Sequence, residues 1–377
     1  MNGKDPKKYN QELSLKKVFT REISSRIGSD AYKLIKKHIC IEKTLNYIDK
    51  VGGRNYGDYI IAANYFKLDF RDTKVLYPDK FKRWHDHYTK NMKVAKNWKD
   101  YEIIATGNGE KLERWKDIYL LRPDPQIIWK SSFDLASYDK LNAKYERSSS
   151  GGGKWNIKKG FSDEWTISYK NLTFSIKPMG FKHTGLFPEQ AANWDIMMDL
   201  IKNAKRPIKV LNLFAYTGGA TVACASAGAS VCHVDCVKQI VERAKTNASL
   251  SGLENANIRY IVDDCKKFVE REIRRGNKYD AIIMDPPSFG RSGSSTVWKL
   301  EDDLYDFVNL CAKILVPNPL FVLINSYTTG LGETVTENIL RLCLKDKPGR
   351  FDSYELGLPT QEGINLPCGC SAIYIGE

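Results

Sequence analysis

The stretch KVLNLFAYTGGATVACASAGASVCHVD, residues 209–235, decides the fold of this chain. Its apolar beginning, residues 210–214, predicts a buried strand, residues 216–219 predict a glycine turn, and the alanine-rich segment that follows predicts a helix. A second short strand, residues 230–234, leads into Asp235. Strand, glycine turn, helix, strand and acid is the order of a doubly wound α/β sheet. In such a sheet the glycines let the backbone pass close to a nucleoside, and the acid accepts hydrogen bonds from ribose hydroxyls.

Two further segments combine an apolar strand with a polar loop. Residues 258–262 predict a strand that ends in Asp-Asp-Cys at 263–265, and residues 279–284 predict another that ends in Asp-Pro-Pro-Ser at 285–288. Because open α/β sheets bind ligands at the carboxyl edge of their strands, we expect both loops to lie beside the glycine turn. A DPP sequence also suits an ordinary turn, but its place directly after an apolar strand indicates function.

The glycine turn also indicates which nucleoside is bound. It reads Thr-Gly-Gly at 217–219 and lacks the G-x-G-x-x-G pattern that holds a pyrophosphate. S-adenosylmethionine fits better than a dinucleotide, because it offers a ribose to Asp235 and carries no phosphate.

These motifs together resemble a known family. The segments LNLFAYTGG at 211–219 and DPPSFGR at 285–291, with Asp235 and the pair at 263–264, are similar to class I S-adenosylmethionine-dependent methyltransferases. Within that class they look most like the large-subunit ribosomal RNA methyltransferases of the RlmI and RlmK kind and their uncharacterised relatives. The resemblance covers roughly residues 100–377. It implies an α/β fold with a Rossmann-like, seven-stranded methyltransferase sheet and S-adenosyl-L-methionine as the cofactor.

The resemblance also implies which residues bind the cofactor. Asp264 is expected to meet the adenine amino group, with Asp263 as the alternative, although either acid could simply cap the helix that follows. Gln190 and Thr184 belong to a segment that lies over the cofactor pocket in relatives, although Pro188 also suits an ordinary helix entry. The expected cofactor-binding residues are Phe214, Ala215, Tyr216, Thr217, Gly218, Asp235, Asp264, Cys265, Gln190 and Thr184.

The DPPS motif is expected to carry the chemistry. Methyl transfer from a sulfonium is an in-line displacement, so the protein mainly aligns the acceptor and manages its proton. We predict Asp285, Pro286, Pro287 and Ser288 as catalytic residues and Phe289, Arg291 and Tyr327 as substrate-binding residues. No cysteine follows the predicted fifth strand, residues 320–324, which argues against methylation of cytosine C5 and favours nitrogen. Cys368 and Cys370 remain the less favoured alternative for a covalent mechanism.

Composition divides the chain into three parts. Residues 1–98 hold 22 Lys+Arg against 11 Asp+Glu, whereas the whole chain has a net charge of +13. We predict a basic, mainly helical N-terminal region over 1–98, a small β-rich, substrate-side domain over 100–182, and the methyltransferase domain over 183–377. The basic region suggests attraction to phosphates, although a solvated helix face explains it equally well. Residues 55–93 weakly resemble PcfJ-like proteins of mobile elements.

The sequence therefore predicts a cytoplasmic enzyme that methylates RNA, specifically ribosomal RNA, at a base nitrogen without a covalent cysteine intermediate. The chain contains no run of about 18 apolar residues and no metal-ligand spacing among its nine cysteines, so we expect no membrane span and no metal. The sequence leaves open whether the protein forms a homodimer. The alternatives are a protein or small-molecule methyltransferase, and a nucleic-acid-binding protein that kept the fold without the activity.

Overall fold

The computed structural model describes residues 92–148, 152–179, 182–291, 297–328 and 331–377. Residues 92–377 form one unit. The predicted helical segments of the N-terminal region lie outside the described residues, as does the PcfJ-like likeness apart from its last two residues.

Strands and helices alternate through the second half of the described chain. The first eight strands are β1 (Met92–Val94), β2 (Tyr101–Gly107), β3 (Glu110–Trp115), β4 (Ile118–Pro123), β5 (Ala143–Arg147), β6 (Gly153–Ile157), β7 (Trp165–Tyr169) and β8 (Leu172–Ile176). The later strands are β9 (Lys209–Leu213), β10 (Ser230–Asp235), β11 (Ile258–Val262), β12 (Ala281–Met284), β13 (Phe289–Arg291), β14 (Val297–Lys299), β15 (Phe321–Ser326), β16 (Gly349–Pro359) and β17 (Asn365–Gly376). The α-helices are α1 (Ala191–Asn203), α2 (Gly219–Ser226), α3 (Lys238–Leu250), α4 (Cys265–Arg275), α5 (Leu300–Ala312) and α6 (Glu333–Cys343).

The central sheet confirms the predicted α/β, Rossmann-like fold. Its order is β1-β16-β17-β15-β12-β9-β10-β11, so the short edge strand β1 joins the seven strands of the expected sheet. Five neighbouring strands run parallel to one another: β15, β12, β9, β10 and β11. Strand β17 runs antiparallel to both of its neighbours, β15 and β16. The strand order reverses between β9 and β12, and the loops that follow these strands therefore meet at the switch point of the sheet, where such folds bind ligands.

The strands of this sheet form because continuous apolar runs are buried on both faces. All four residues of β12 and all six of β15 are buried, which is typical of parallel strands covered by helices on each side. A larger apolar cluster packs on one face around Trp194, and a second cluster packs on the other around Phe268 and Phe307. The rigid sheet thus fixes the positions of the loops at its carboxyl edge.

Two smaller sheets precede the central one. Strands β2 to β6 form a five-stranded sheet in sequence order, and β7 pairs with β8. Residues 127–129 are irregular, and the carbonyls of Ile127 and Trp129 accept hydrogen bonds from the backbone N–H groups of Gly109 and Asn108 in the β2–β3 turn, at 2.9 and 2.7 Å. The proline-rich stretch before them turns the chain so that it covers that turn.

A seam of aromatic rings joins the smaller sheets to the central one. Trp98 lies 4.7 Å from Tyr169 and 6.1 Å from Trp194 between ring centroids, and its indole nitrogen donates to the carbonyl of Pro188 at 2.9 Å. Such pairs add about 0.5–1.5 kcal/mol each beyond their buried area. The seam holds the segment before α1 in place over the edge of the sheet. None of the helices in the described part of the chain is long and apolar enough to cross a membrane.

Candidate functional site

The turn after β9 has a backbone shape that few residues adopt. Phe214 and Tyr216 have positive φ angles of 55° and 48°, and Gly218 has a φ of 84°. A Cβ atom at Gly218 would lie 2.8 Å from Cβ of Ala244 on α3. Left-handed backbone costs about 1–2 kcal/mol for an L-residue, so this loop is held in its shape by its surroundings. This shape brings residues of the 214–219 loop to the edge of a cleft.

Asp235 is one of the groups that hold this turn. One carboxylate oxygen accepts from the backbone N–H of Tyr216 at 2.9 Å, and the other accepts from that of Val237 at 3.0 Å. Burial raises the pKa of Asp235, and these backbone hydrogen bonds act in the opposite direction. Each oxygen keeps a further lone pair, so the carboxylate can still accept the two vicinal hydroxyls of a ribose.

The segment that runs into α1 closes over the turn. The Thr217 hydroxyl donates to the carbonyl of Gly185 at 2.6 Å, and the Asn247 amide donates to the carbonyl of Thr217 at 2.8 Å. The ring of Phe187 lies 5.6 Å from the rings of both Tyr216 and Tyr327. Phe187 therefore spans the opening between the turn after β9 and the end of β15.

The cleft enclosed by these elements has mixed apolar and polar walls. The space within it is about 430 Å³, with the open solvent at its mouth included. Its lining residues are Leu186, Phe187, Gln190, Trp194, Asn212, Phe214, Ala215, Tyr216, Thr217, Gly219, Ala220, Ile283, Asp285 and Asn325. Six of these were predicted as site residues: Phe214, Ala215, Tyr216, Thr217, Gln190 and Asp285.

The cleft fits the cofactor expected from the sequence. Ala215, Gly219 and Ala220 keep the floor low, and a Cβ at Gly219 would lie 2.8 Å from the Trp194 ring. Asp235, at the end of the adjacent strand, supplies a carboxylate for a ribose, and aromatic and aliphatic side chains supply apolar walls. A nucleoside with a short amino-acid arm matches this combination of carboxylate, small floor and apolar walls.

Five predicted cofactor residues lie outside the lining of this cleft: Asp235, described above, and Gly218, Asp264, Cys265 and Thr184. Gly218 gives the turn its shape through its positive φ angle and faces Ala244 on α3. The Asp264 carboxylate caps α4 by accepting from the backbone N–H of Lys267 at 3.0 Å, and the Cys265 sulfur accepts from that of Phe214 at 3.3 Å. Thr184 is fully buried, and its hydroxyl has no hydrogen-bond partner within the described structure. The capping alternative therefore describes Asp264 in this structure, and its adenine contact stays a prediction.

The DPPS loop lies at the end of β12, beside the cleft. Burial, followed by the negative charge of Glu189, raises the pKa of Asp285 to about 7. The Trp298 indole donates to the carbonyl of Pro287 at 2.7 Å, and the Ser288 hydroxyl lies 2.6 Å from that of Thr328. These contacts tie the loop to the β13–β14 hairpin and to the end of β15.

The three predicted substrate residues differ in their surroundings. Phe289 is 55% exposed, which suits a surface on which a flat group stacks. The side chain of Arg291 lies outside the described atoms. The Tyr327 hydroxyl accepts from the side-chain amide of Gln190 at 2.6 Å, so Tyr327 is held beside a residue that lines the cleft.

A buried polar network that the sequence did not predict supports Gln190. The Asn193 amide donates to the Gln190 side-chain oxygen at 2.9 Å, and the Tyr354 hydroxyl donates to the Asn193 oxygen at 2.7 Å. The Ser371 hydroxyl donates to Asn325 at 2.8 Å on the same level of the sheet. Polar residues inside otherwise apolar strands, such as Asn325, were the only sequence signal of this network.

A second polar cluster lies in the five-stranded sheet. The Arg122 guanidinium forms two hydrogen bonds to the Glu113 carboxylate, at 2.5 and 2.7 Å, and the Tyr101 hydroxyl donates to Glu113 at 2.7 Å. Burial alone would raise the pKa of Glu113, but the charges of Arg122 and Lys111 outweigh it and lower that pKa to about 2. Burial, with help from these cations, lowers the pKa of His183 to about 4.

Cysteines and metal-binding groups add little to this site. Burial raises the pKa of the Cys368 thiol well above its usual value, and the nearby charge of Glu189 adds to the effect. Cys370 is buried, whereas Cys368 is only partly buried, and the pKa of Cys370 is raised to about 11. Among the described side chains, no group of three His, Cys, Asp or Glu is placed to hold a metal ion.

Comparison with known proteins agrees with this geometry. A family model described as S-adenosylmethionine-dependent methyltransferase matches residues 127–341. The chain is 32% identical over 155 residues to the ribosomal RNA large subunit methyltransferase K/L of Shewanella frigidimarina, which covers 41% of this chain and 21% of that protein. It is 32% identical over 171 residues to the ribosomal RNA large subunit methyltransferase I of Tolumonas auensis, which covers 45% of this chain and 41% of that protein.

A solved structure matches over a larger part of the chain. The S-adenosylmethionine-dependent methyltransferase from Agrobacterium tumefaciens superimposes with a TM-score of 0.72 at 33% identity, over 76% of this chain and 93% of that chain. The chain spans less than half the length of the two curated relatives, but nearly the whole of this structure. The resemblance indicated by LNLFAYTGG and DPPSFGR is therefore confirmed, and the chain belongs to the S-adenosylmethionine-dependent methyltransferase family.

Proposed function

We propose that this protein transfers a methyl group from S-adenosylmethionine to a base nitrogen of RNA, with ribosomal RNA as the acceptor. The observation that carries the chemistry is Asp285, a carboxyl group beside the cofactor cleft whose pKa is raised to about 7. A group with a pKa near the working pH is suited to accept a proton from the acceptor.

The bound cofactor would supply an electrophilic methyl group on a sulfonium. Asp235, the 214–219 turn and the Gln190 amide would hold it, because these groups converge on the cleft or on the strand end beside it. Phe187 and Tyr327 exclude water from its mouth. The DPPS loop would position the acceptor nitrogen, and the Asp285 carboxylate would take its proton. Alignment of this kind supplies much of the rate enhancement in displacement reactions.

The protonation of the nearby cysteines supports a mechanism without a covalent intermediate. A thiolate, not a thiol, adds to a pyrimidine ring. Because burial raises the pKa values of Cys368 and Cys370, both are thiols at neutral pH. This favours nitrogen over cytosine C5 as the methylated atom.

The relatives and the charge distribution support RNA as the acceptor. The two curated relatives are named ribosomal RNA large subunit methyltransferases. We propose that residues 100–182 hold the acceptor and that the basic residues of 1–98 contact its phosphates, in the cytoplasm where ribosomal RNA is available.

A protein acceptor is the second candidate; it would predict methylation of protein fractions and no binding to RNA. A relic without activity would predict no cofactor binding at all. Sedimentation of the purified protein would decide whether it forms a homodimer.

Titration of the purified protein with S-adenosylmethionine tests the cofactor site. Asp235→Ala removes the ribose acceptor and two backbone hydrogen bonds, so we expect a loss of about 1–3 kcal/mol in binding. Asp199→Ala, an exposed acid on α1, is the matched control and should bind as the wild type does. Equal binding by all three proteins would contradict the assignment of Asp235.

Transfer of a radiolabelled methyl group to ribosomal RNA, transfer RNA and protein fractions then tests the acceptor. We expect label in ribosomal RNA, at a nitrogen after nucleoside digestion. Label only in the protein fraction would favour the second candidate.

A further inference from the structure

Asn212 is a buried polar residue within an apolar strand. It lies on β9, in the segment KVLNL, is 2% exposed, and is one of the residues that line the cleft. An amide among apolar neighbours costs free energy unless its hydrogen-bonding groups find partners, either in the protein or in a ligand. The partners of Asn212 therefore indicate what the cleft binds at this point.

The amide of Asn212 begins a short chain of hydrogen bonds. Its Nδ2 donates to the hydroxyl of Thr221 on α2 at 2.9 Å, and that hydroxyl lies 2.9 Å from Nδ1 of His233 on β10. Thr221 and His233 are fully buried, and the parallel register places His233 directly beside Asn212. A Cβ atom at Gly218 would lie 3.7 Å from Cε1 of His233, so the ring packs against the glycine turn.

The direction of this chain follows from its donors and acceptors. The Thr221 oxygen accepts from Asn212, so the hydroxyl hydrogen is left to donate, and Nδ1 of His233 is the acceptor within its reach among the described residues. Nδ1 then carries no proton, and the proton of the neutral ring is on Nε2. Burial lowers the pKa of His233 to about 3, so the ring is neutral at physiological pH.

The two ends of the chain differ. At one end, Nε2 of His233 is buried and has no hydrogen-bond partner within the described structure, which costs free energy that an apolar residue would not. At the other end, the Asn212 nitrogen is bound to Thr221, and no donor of the described residues reaches the Asn212 oxygen. Because Asn212 lines the cleft, this oxygen is available to a ligand there.

We propose that His233 is a positioning residue of the cofactor site, which holds the Asn212 amide, through Thr221, with its oxygen presented to the ammonium group of the cofactor. The amino-acid arm of S-adenosylmethionine carries an ammonium and a carboxylate, and of these only the ammonium donates hydrogen bonds. An oxygen that is fixed in advance accepts this donor with little further loss of side-chain freedom. The inference goes beyond the proposed function, because it concerns the cofactor and holds for any methyl acceptor.

The place of Asn212 in the sheet supports the arm as the part of the cofactor that it meets. Strand β9 lies between β10, which ends at Asp235, and β12, which leads into Asp285. With the ribose at Asp235 and the methyl group directed towards the DPPS loop, the sulfur and its amino-acid arm would pass over β9.

Two ligands that differ in one group test this assignment in the full-length protein. S-adenosylhomocysteine has the ammonium, and its deaminated analogue has hydrogen in that place; calorimetric titration measures the affinity of each. We expect the wild type to bind S-adenosylhomocysteine roughly 10- to 100-fold more tightly, as for one hydrogen bond to a charged group. Asn212→Ala should lose most of this preference. Equal binding of both ligands by the wild type, or an unchanged preference in Asn212→Ala, overturns the proposal.

Variants of the other two residues separate positioning from folding. Thr221→Val has nearly the same shape but breaks both hydrogen bonds, so its preference should fall. Thr336→Val is the matched control, because Thr336 is a fully buried threonine on α6, and should keep the preference. His233→Leu should lower the preference, whereas His233→Asn should restore it, because its side-chain oxygen can accept from Thr221 in place of Nδ1. A purely structural role would weaken both ligands equally and leave the ratio unchanged.

The tautomer of His233 gives an independent test in the wild type. Nitrogen NMR of the labelled protein shows which ring nitrogen carries the proton, and loss of the signal in His233→Asn identifies it. We expect a neutral ring protonated at Nε2 between about pH 5 and 8. A proton on Nδ1 would reverse the chain of hydrogen bonds, turn the Asn212 nitrogen towards the cleft and refute the proposal. None of these measurements uses RNA, so the proposed acceptor and this assignment are tested separately.

Discussion

Two aspartates at the carboxyl edge of the sheet illustrate how neighbouring groups assign different tasks to one residue type. Both are partly shielded from solvent, and burial raises the pKa of each. Asp235 also accepts hydrogen bonds from two backbone N–H groups, which favour the carboxylate and suit a permanent acceptor. Asp285 has the charge of Glu189 nearby, which disfavours its carboxylate and suits a group that exchanges a proton.

The raised pKa of Asp285 has a consequence for stability. Because its folded-state pKa of about 7 lies above the value of 3.8 in an unfolded chain, the folded protein binds a proton that the unfolded chain has released between these values. Stability contributed by this group is therefore present below about pH 4 and is lost as pH rises through 7. We expect Asp285→Asn to raise the melting temperature relative to the wild type at pH 8, and to have a smaller effect at pH 5.

Thermal unfolding of both proteins across this pH range measures the difference. The histidines with depressed pKa values, His183 and His233, titrate equally in both proteins and cancel in the comparison. A melting-temperature difference that does not change with pH would contradict the raised pKa of Asp285.

At the scale of elements, the turn between β9 and α2 depends on a single glycine. Gly218→Ala would place a methyl group 2.8 Å from Cβ of Ala244, in addition to the strain of a φ of 84°. Gly252→Ala is a matched control, because Gly252 has a φ of 71° and no atom within 4 Å of the added methyl group. We expect both variants to lose about 1–2 kcal/mol from backbone strain. Gly218→Ala should lose a further 1–3 kcal/mol from overpacking, roughly, and should also bind the cofactor more weakly.

Chemical denaturation of the two glycine variants measures this difference. Equal free energies of unfolding would show that α3 moves away without cost, and that the close approach of the turn to α3 does not matter.

Five strands of the central sheet, β9, β10, β11, β12 and β15, were predicted from sequence to within two residues at either end, whereas β1, β16 and β17 were not predicted. Continuous apolar runs bounded by glycine or aspartate determine them locally. The strands β5 and β6, with the sequences AKYER and GKWNI, were missed because each has few apolar residues and is stabilised mainly by pairing with the other. The contacts of Asp264 and Cys265 could not be predicted from sequence either, because each side chain can turn towards the cleft or towards the neighbouring backbone.

At the scale of the whole molecule, one prediction concerns the ion pair of Glu113 and Arg122, which lies in the five-stranded sheet and not in the central one. Neither partner was singled out from sequence, because the pair depends on the register in which β3 and β4 align. Both side chains are almost fully buried, at 0% and 8% exposure. Removal of one partner from such a pair leaves an uncompensated buried charge.

Arg122→Met should therefore lower the free energy of unfolding by about 3–5 kcal/mol. Arg114→Met is the control on the same sheet, because the Arg114–Glu102 pair has a similar distance of 3.0 Å but is 22% and 32% exposed. A loss of less than about 1 kcal/mol is expected there. Similar losses in both variants, measured by urea denaturation, would mean that burial does not distinguish the two pairs.

The basic N-terminal region can be tested by deletion. The deletion should end at residue 91, because Met92–Val94 pairs with β16 and the Trp98 indole donates to Pro188. If the lysines and arginines before this point contact phosphates, RNA affinity should fall and its dependence on salt should become weaker. Binding measured at two or more salt concentrations checks this, with cofactor affinity as the control. Unchanged RNA binding would return the region to the solvated-face interpretation.

One ring of the aromatic seam, the indole of Trp194, can report on ligand binding through its fluorescence. Trp194 lines the cleft proposed for the cofactor and is itself 2% exposed, so its fluorescence comes from a ring that is almost fully shielded from water. A ligand that enters the cleft comes into contact with this ring, and the emission of Trp194 should change in proportion to occupancy. The difference between the wild type and Trp194→Phe isolates that signal from the other indoles. Occupancy of the cleft could then be followed in real time, with no label on the cofactor.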